Sequence, residues 1–108
     1  MSDRLPSGLL VSAMLRRAND AGGLGMVLAK GDPQGGAILA IVAEPGGRER
    51  LVERRFDLDG RATLVDSTPA DDLVGYWRRR RERDPDCWVI ELTVPGAERL
   101  VAETIATS

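Results

Sequence analysis

The sequence of 108 residues contains no histidine and only one cysteine, Cys87. Without histidine, the usual general base at neutral pH and the commonest transition-metal ligand are missing, and Ser-His and Cys-His nucleophile pairs are excluded. A single cysteine cannot form an internal disulfide, and a tetrahedral zinc site cannot be assembled from one chain. Carboxylates are the ordinary groups left for acid-base work. We therefore predict a protein with no catalytic residues, no metal and no cofactor.

Long apolar segments are also absent. The longest uninterrupted apolar run, Ala37 to Ala43, has seven residues, whereas a membrane-spanning helix needs about 20. The stretch from Leu9 to Leu15 is followed, not preceded, by Arg16 and Arg17, and no cleavage site of small residues is evident, so it does not fit a signal peptide. We predict a cytoplasmic protein with no membrane partner, and a chain of this length and composition predicts one domain, 1–108.

The chain has no excess of positive charge and almost no lysine. Its formal net charge is -2 and its pI is about 5.1, which argues against a nucleic-acid binder that is basic over its whole surface. Of the 15 basic residues, only Lys30 is not an arginine. Such a bias can indicate recognition of phosphate or carboxylate groups by guanidinium forks, or a codon preference across the genome. Because the arginines are spread along the chain, we favour the codon preference.

The first half of the chain predicts a helix followed by strands. Apolar residues at helical spacing follow Ser7, which can cap the helix, and Gly22-Gly23 can end its last turn. Two apolar runs, Leu24 to Lys30 and Ala37 to Glu44, flank the turn residues Gly31 to Gly36. We predict that these two strands form an antiparallel hairpin.

Two more strands follow a turn at Pro45-Gly46. The third is predicted from about Arg48 to Asp57, and the fourth from Arg61 to about Asp66, joined by a hairpin at Asp59-Gly60. One face of the third strand, which includes Glu53, is mostly polar and is predicted to face water.

The second half predicts a helix, a strand and a last helix. Thr68 as cap, Pro69 at the first helical position and Asp71 in a capping-box-like place form a strong helix start. Asp84-Pro85 ends this helix. Alternation of apolar residues from Trp88 to Val94 predicts a half-buried strand.

A helix from Gly96 to Ala106 completes the order αββββαβα. This order predicts an α+β fold, a two-layer sandwich in which a mixed or mostly antiparallel sheet of about five strands is covered on one face by three helices. The run Ala37 to Ala43 is apolar at every position, which predicts burial on both faces, by helices or by a second subunit. Because three helices leave part of such a sheet uncovered, we predict a homodimer.

The densest charge in the chain is Arg78 to Arg81, followed by Arg83. Successive residues of a helix differ by about 100° in direction, so these side chains cannot all serve one surface. The apolar stripe of the helix continues onto Arg80 and Arg81. Either the helix passes the edge of the sheet there, or one of the two lies along the core and meets a carboxylate, with Asp84, Asp86 and Glu91 nearest in sequence.

Two interpretations of this run are open. The residues Arg78, Arg79, Arg81 and Arg83 are the candidates for a site that binds nucleic acid or another anion. The favoured alternative is a solvated helix end whose charges suit the helix dipole, with structural ion pairs.

Three other features have a structural explanation that outweighs a functional one. The glycine-rich segment Gly31 to Gly36 can form an anion nest, but a hairpin turn is favoured because the phosphate-binding spacings are missing. Asp84, Asp86 and Glu91 can hold a hard cation, but salt bridges to the arginines are favoured. Cys87, with no histidine to activate it, is predicted to be a small buried hydrophobic residue.

Three segments together resemble an uncharacterised family of short bacterial proteins, a domain of unknown function. They are Val11 to Ala18, Lys30 to Asp32 with Gly36 to Leu39, and Arg83 to Glu91. The resemblance implies a small α+β domain and supplies no catalytic residues. We predict a non-enzymatic binding or interaction module that forms a homodimer. The alternative is a nucleic-acid-associated protein in which the arginine-rich helix end contacts phosphates.

Overall fold

The chain folds into a sheet covered by helices, and the computed structural model describes residues 5–106. Its elements are α1 (Ser7–Asp20), β1 (Leu24–Ala29), β2 (Ile38–Ala43), β3 (Arg50–Phe56), β4 (Ala62–Asp66), α2 (Leu73–Arg83), β5 (Trp88–Thr93) and α3 (Ala97–Ala106). The predicted α+β class and element order are confirmed. Within these residues, no helix has both the length and the apolar character needed to cross a membrane.

The five described strands form one mixed sheet in the order β1-β5-β2-β3-β4. β2, β3 and β4 are joined by hairpins and pair antiparallel, as predicted. At the first turn Gly46 has a φ of 76° and Gly47 N–H donates to the carbonyl of Glu44 at 2.7 Å, which fits a type II turn. β5 pairs parallel with β2 and antiparallel with β1, so it lies inside the sheet.

The predicted hairpin between β1 and β2 is wrong, because β5 lies between the two strands. The segment from Gly31 to Gly36 crosses the start of β5 instead of turning back on itself. It is held there by Asp32 N–H, which donates to the carbonyl of Asp86 at 2.9 Å, and by Trp88 Nε1, which donates to the carbonyl of Asp32 at 2.8 Å. A β-carbon at Gly36 would lie 2.0 Å from Asp86 O. Glycine is therefore required by close packing against β5.

The helices cover both faces of the sheet, not one face as predicted. α1 and α3 pack on one face, in a core with Ile38, Ala40 and Val42 of β2. Leu39 and Ile41 of the same strand point to the other face, where the buried cluster also includes residues of β3 and β5 and is covered by side chains of α2. The predicted burial of β2 on both faces is confirmed. The chain's own helices supply it, so this strand needs no second subunit.

The start of α2 also differs from the prediction. The helix begins at Leu73, and its cap is Asp72, whose side chain accepts a hydrogen bond from Gly75 N–H at 3.0 Å. Thr68 extends the strand pairing instead: its hydroxyl accepts from Leu51 N–H at 2.9 Å and donates to the carboxylate of Asp66 at 2.5 Å. Thr68, the predicted helix cap, therefore stabilises the β3–β4 hairpin instead.

Candidate functional site

Arg80, in the middle of the arginine run, points inward and forms an ion pair with a strand residue. Its guanidinium donates to both carboxylate oxygens of Glu53, at 2.9 and 3.4 Å, and to the hydroxyl of Tyr76 at 3.0 Å. Glu53, predicted to face water, is only 6% exposed. Of the two alternatives that the helical pattern left open, one arginine therefore lies along the core and meets a carboxylate. Its partner comes from β3, not from the nearby acids.

The protonation of Glu53 depends on this pair. Burial raises the pKa of the Glu53 carboxyl, but hydrogen bonds from Arg80 and Ser67 and the positive charges of Arg80 and Arg55 outweigh it, so the pKa lies below its usual value. The hydrogen bond to Glu53 raises the pKa of Arg80. Both groups are charged at neutral pH, and the pair joins α2 to the sheet.

Arg81, a predicted anion-binding residue, is used to hold the chain together. Its Nη1 donates to the carbonyl oxygens of Lys30 and Cys87 at 3.2 and 3.1 Å and also to that of Pro85. These bonds fix the end of α2 to the end of β1 and the start of β5. All three bonds are made by Nη1, and they give Arg81 a structural role.

The other three predicted arginines are exposed but do not form one group. Arg78 lies over the ring of Trp77, at 5.7 Å from the centroid. Arg79 and Arg83, one turn apart, lie on the side of α2 that carries Tyr76 and point away from Arg78. In the part of the chain that the structure describes, neither Arg79 nor Arg83 forms an ion pair.

The acidic residues after α2 do not converge on the arginines or on each other. Asp84 accepts a hydrogen bond from Asp86 N–H at 3.2 Å, while Glu91 lies inside β5. Among residues 5–106 no group of three or more carboxylate or thiol side chains is placed to hold a metal ion. Burial raises the pKa of Glu91, and the negative charge of Glu49 and a hydrogen bond with it act in the same direction. Glu91 is therefore a half-buried acid with an acidic neighbour.

An exposed apolar strand is a feature that the sequence analysis missed. β1 is an edge strand, paired only with β5. Its large side chains remain exposed: Leu24 by 54%, Met26 by 41%, Val27 by 40% and Leu28 by 36%. Long uncharged edge strands are uncommon in monomers, because their free backbone groups can pair with another chain. The uncharged run Leu24 to Ala29 was visible in the sequence, but its edge position was not.

The apolar exposure continues from β1 over part of the sheet. On the face that carries α2, the side chains of Leu24, Met26, Ala43, Glu91 and Thr93 lie outside the cluster that α2 covers. We call these five residues the open face. Val74 of α2 lies seven residues before Arg81, about two turns, and so on the same side of the helix, the side of β1. It is 47% exposed.

A groove of about 590 Å³ lies between α3 and strands β3 and β4. Its central charge, Arg50, is neutralised by two carboxylates at 2.7 Å, those of Asp66 and Glu98. Hydrogen bonds from Thr68 and Arg50 lower the pKa of Asp66 to about 2. Arg50, Asp66 and Glu98 are therefore paired with one another within the chain.

The chain is similar to proteins of one family. A family model described as "Protein of unknown function (DUF1491)" matches residues 5–102. The crystal structure of a DUF1491 family protein from Caulobacter crescentus CB15 is 30% identical, with a TM-score of 0.80 over 90% of this chain and 94% of that one. An NMR structure of a DUF1491 family protein from the same organism is 33% identical, with a TM-score of 0.73 over 89% and 91%.

A further solved structure is similar to the chain in sequence and fold. The solution structure of protein Atu0922 from A. tumefaciens is 27% identical, with a TM-score of 0.70 over 84% of this chain and 86% of that one. No curated protein matches the chain. The predicted resemblance to an uncharacterised bacterial family is confirmed, and the relatives supply no ligand or reaction to compare.

Proposed function

The chain belongs to the DUF1491 family of proteins of unknown function, and we propose that it is a non-enzymatic interaction module that forms a homodimer through β1 and the open face. The observation that carries the proposal is the exposure of four large apolar side chains on one edge strand. Burying such a strand against a partner removes apolar area from water and protects its free backbone groups. The cytoplasmic location expected from the sequence stays a prediction.

The other edge of the sheet supports this choice of surface by contrast. β4 has five residues and ends in Asp66, which is paired with Arg50. A short strand that ends in a charge is a common protection against pairing with another chain. β1 has no charged residue between Leu24 and Ala29. The two edges therefore differ, and β1 is the one suited to a partner.

The experiment is light scattering behind a sizing column at several concentrations. The chain has a mass of 11.7 kDa, and we expect a particle of twice that mass. Met26→Lys places a charge on the open face and is expected to give a monomer. Val65→Lys, at a residue 37% exposed on β4, is the matched control and is expected to leave the dimer intact. A wild-type protein that remains monomeric at high micromolar concentration would overturn the proposal.

The second candidate function is binding to nucleic-acid phosphates, and one observation favours it. Arg79 and Arg83 are exposed on the same side of α2 and, within the described residues, form no ion pair. Between them, Arg80 is paired with Glu53 and Arg81 donates to backbone carbonyls. Two guanidinium groups one turn apart can contact neighbouring phosphates.

Fluorescence anisotropy with labelled RNA and duplex DNA tests this candidate. Because phosphate contacts release counterions, binding should weaken steeply from 50 to 200 mM salt, as is general for such contacts. The double variant Arg79→Ala/Arg83→Ala should bind more weakly and with a smaller salt slope, while Arg16→Ala, at an exposed residue of α1, should not. Absence of binding at low salt, or equal binding by both variants, refutes it.

A further inference from the structure

Resting on the proposed dimer, we infer that α2 of a second copy fills the open face, with Val74 against the partner's Met26 and Arg78 beside the partner's Glu91. By two-fold symmetry, the same contacts form twice. The partner is therefore a second copy of this chain, held by two apolar contacts and two charge pairs.

The size of the uncovered area fits one helix. α2 packs over Leu39 and Ile41 of β2, Leu51 of β3, the first residues of β5 and the end of β1 at Ala29. The start of β1 and the rest of β5 lie outside this cluster. Each strand takes up about 5 Å of the width of a sheet, so two strands span about 10 Å, which is roughly the diameter of a helix with its side chains. A second α2 therefore fits beside the first one.

The residues of α2 that would make this contact are available. Val74 is 47% exposed, although it lies on the β1 side of a helix that packs on the sheet. Gly75 follows it and has no side chain to obstruct a close approach. Arg78, one turn after Val74, is exposed and contacts the ring of Trp77. An apolar residue and a cation thus stand one turn apart on this part of the helix.

The charges of the two surfaces are complementary. Glu91 is half-buried in the open face, and among the described residues it forms no ion pair. Its neighbour Glu49 adds negative charge at the same place. Arg78 also forms no ion pair in that part of the chain. The acid on one surface has no cation and the cation on the other has no acid, so the two surfaces match when two copies meet across a two-fold axis.

A charge-reversal cycle measured by sedimentation or light scattering tests the inference. Arg78→Glu places like charges opposite the partner's Glu91 and should raise the dimer dissociation constant about tenfold or more. Glu91→Arg should do the same by opposing the partner's Arg78. The double variant Arg78→Glu/Glu91→Arg restores opposite charges and should recover most of the affinity. Arg79→Glu carries the same change of charge on another side of the helix and should leave the dimer within about twofold of the wild type.

The outcomes separate the two proposals. One outcome is that Met26→Lys gives monomers while the dissociation constant of the Arg78→Glu/Glu91→Arg dimer is no lower than that of either single variant. In that case the dimer is correct and the proposed position of α2 in it is wrong. The same conclusion follows if Arg78→Glu has no larger effect than Arg79→Glu. A monomeric wild type overturns both proposals. Thermal unfolding of each variant verifies folding, and Glu91→Gln, which removes the charge with little change of shape, replaces Glu91→Arg if the latter does not fold.

Discussion

Replacing Arg80 by methionine should destabilise the protein strongly, whereas the same change at Arg79 should have little effect. Arg80 is the principal partner of the Glu53 carboxylate, whose side chain is 7% exposed. Methionine keeps the length and the apolar stem of arginine but cannot donate a hydrogen bond. Its introduction leaves a buried carboxylate that has lost two of its hydrogen bonds.

The expected cost follows from the geometry of the pair. Removing one partner of a buried ion pair costs about 3–5 kcal/mol, because the remaining charge is left without compensation. Here Arg55 still donates to Glu53 at 3.1 Å, and the Arg80 side chain is 23% exposed. Both facts reduce the loss, so we expect about 3 kcal/mol. For a domain of about 100 residues, each kcal/mol lowers Tm by roughly 4–8 °C, which gives a decrease of about 12–24 °C.

Urea unfolding followed by circular dichroism measures this loss. Arg79→Met, on the exposed side of the same helix, should change the free energy of unfolding by less than about 0.5 kcal/mol. The double variant Glu53→Met/Arg80→Met removes both charges and should be much less destabilised than the sum of its single variants. If Arg80→Met costs less than about 1 kcal/mol, or if the two single losses simply add, the ion pair does not hold α2 to the sheet.

Three smaller predictions test other parts of the fold. The pKa of Asp66 is about 2, so its charge stabilises the fold above about pH 4 and the benefit is lost as the pH falls towards 2. Asp66→Asn should therefore lower the unfolding free energy at pH 6 by up to about 1 kcal/mol and flatten the acid dependence, and an unchanged acid dependence would contradict this. Burial raises the pKa of Cys87 to about 11. The thiol therefore ionises more easily in the unfolded chain, and the free energy of unfolding should fall from about pH 9 to 11. A thiol reagent at pH 8 should label the protein only after unfolding, and rapid labelling of the native protein would show that the thiol is accessible. Gly36→Ala places a β-carbon 2.0 Å from Asp86 O and should lower the free energy of unfolding by about 2 kcal/mol. Gly35→Ala is the control, because a β-carbon there has nothing within 4 Å, and it should not lower the stability. Equal unfolding midpoints for the two variants would refute the close packing.

The candidate site was only partly predictable from the sequence. Helical geometry showed that the arginine run could not form one surface, and it identified Arg80 and Arg81 as the two that continue the apolar stripe. The partners of both residues come from other elements: Glu53 lies on β3, and Lys30, which accepts from Arg81, follows β1. Such contacts join residues far apart in the chain, so neither spacing nor composition contains them.

Local sequence determined the helices, the strands and the order αββββαβα, because the periodicity of apolar residues and the turn residues act within a few positions of the chain. It also excluded histidine-based chemistry. Tertiary structure alone decided that β5 lies between β1 and β2, that α2 covers the opposite face from α1 and α3, and that β1 is an exposed edge. The physical reason is that strand order follows from which apolar surfaces bury one another. Leu24 to Ala29 therefore has the local pattern of a strand wherever it lies, and only the position of β5 leaves its outer edge open to a partner.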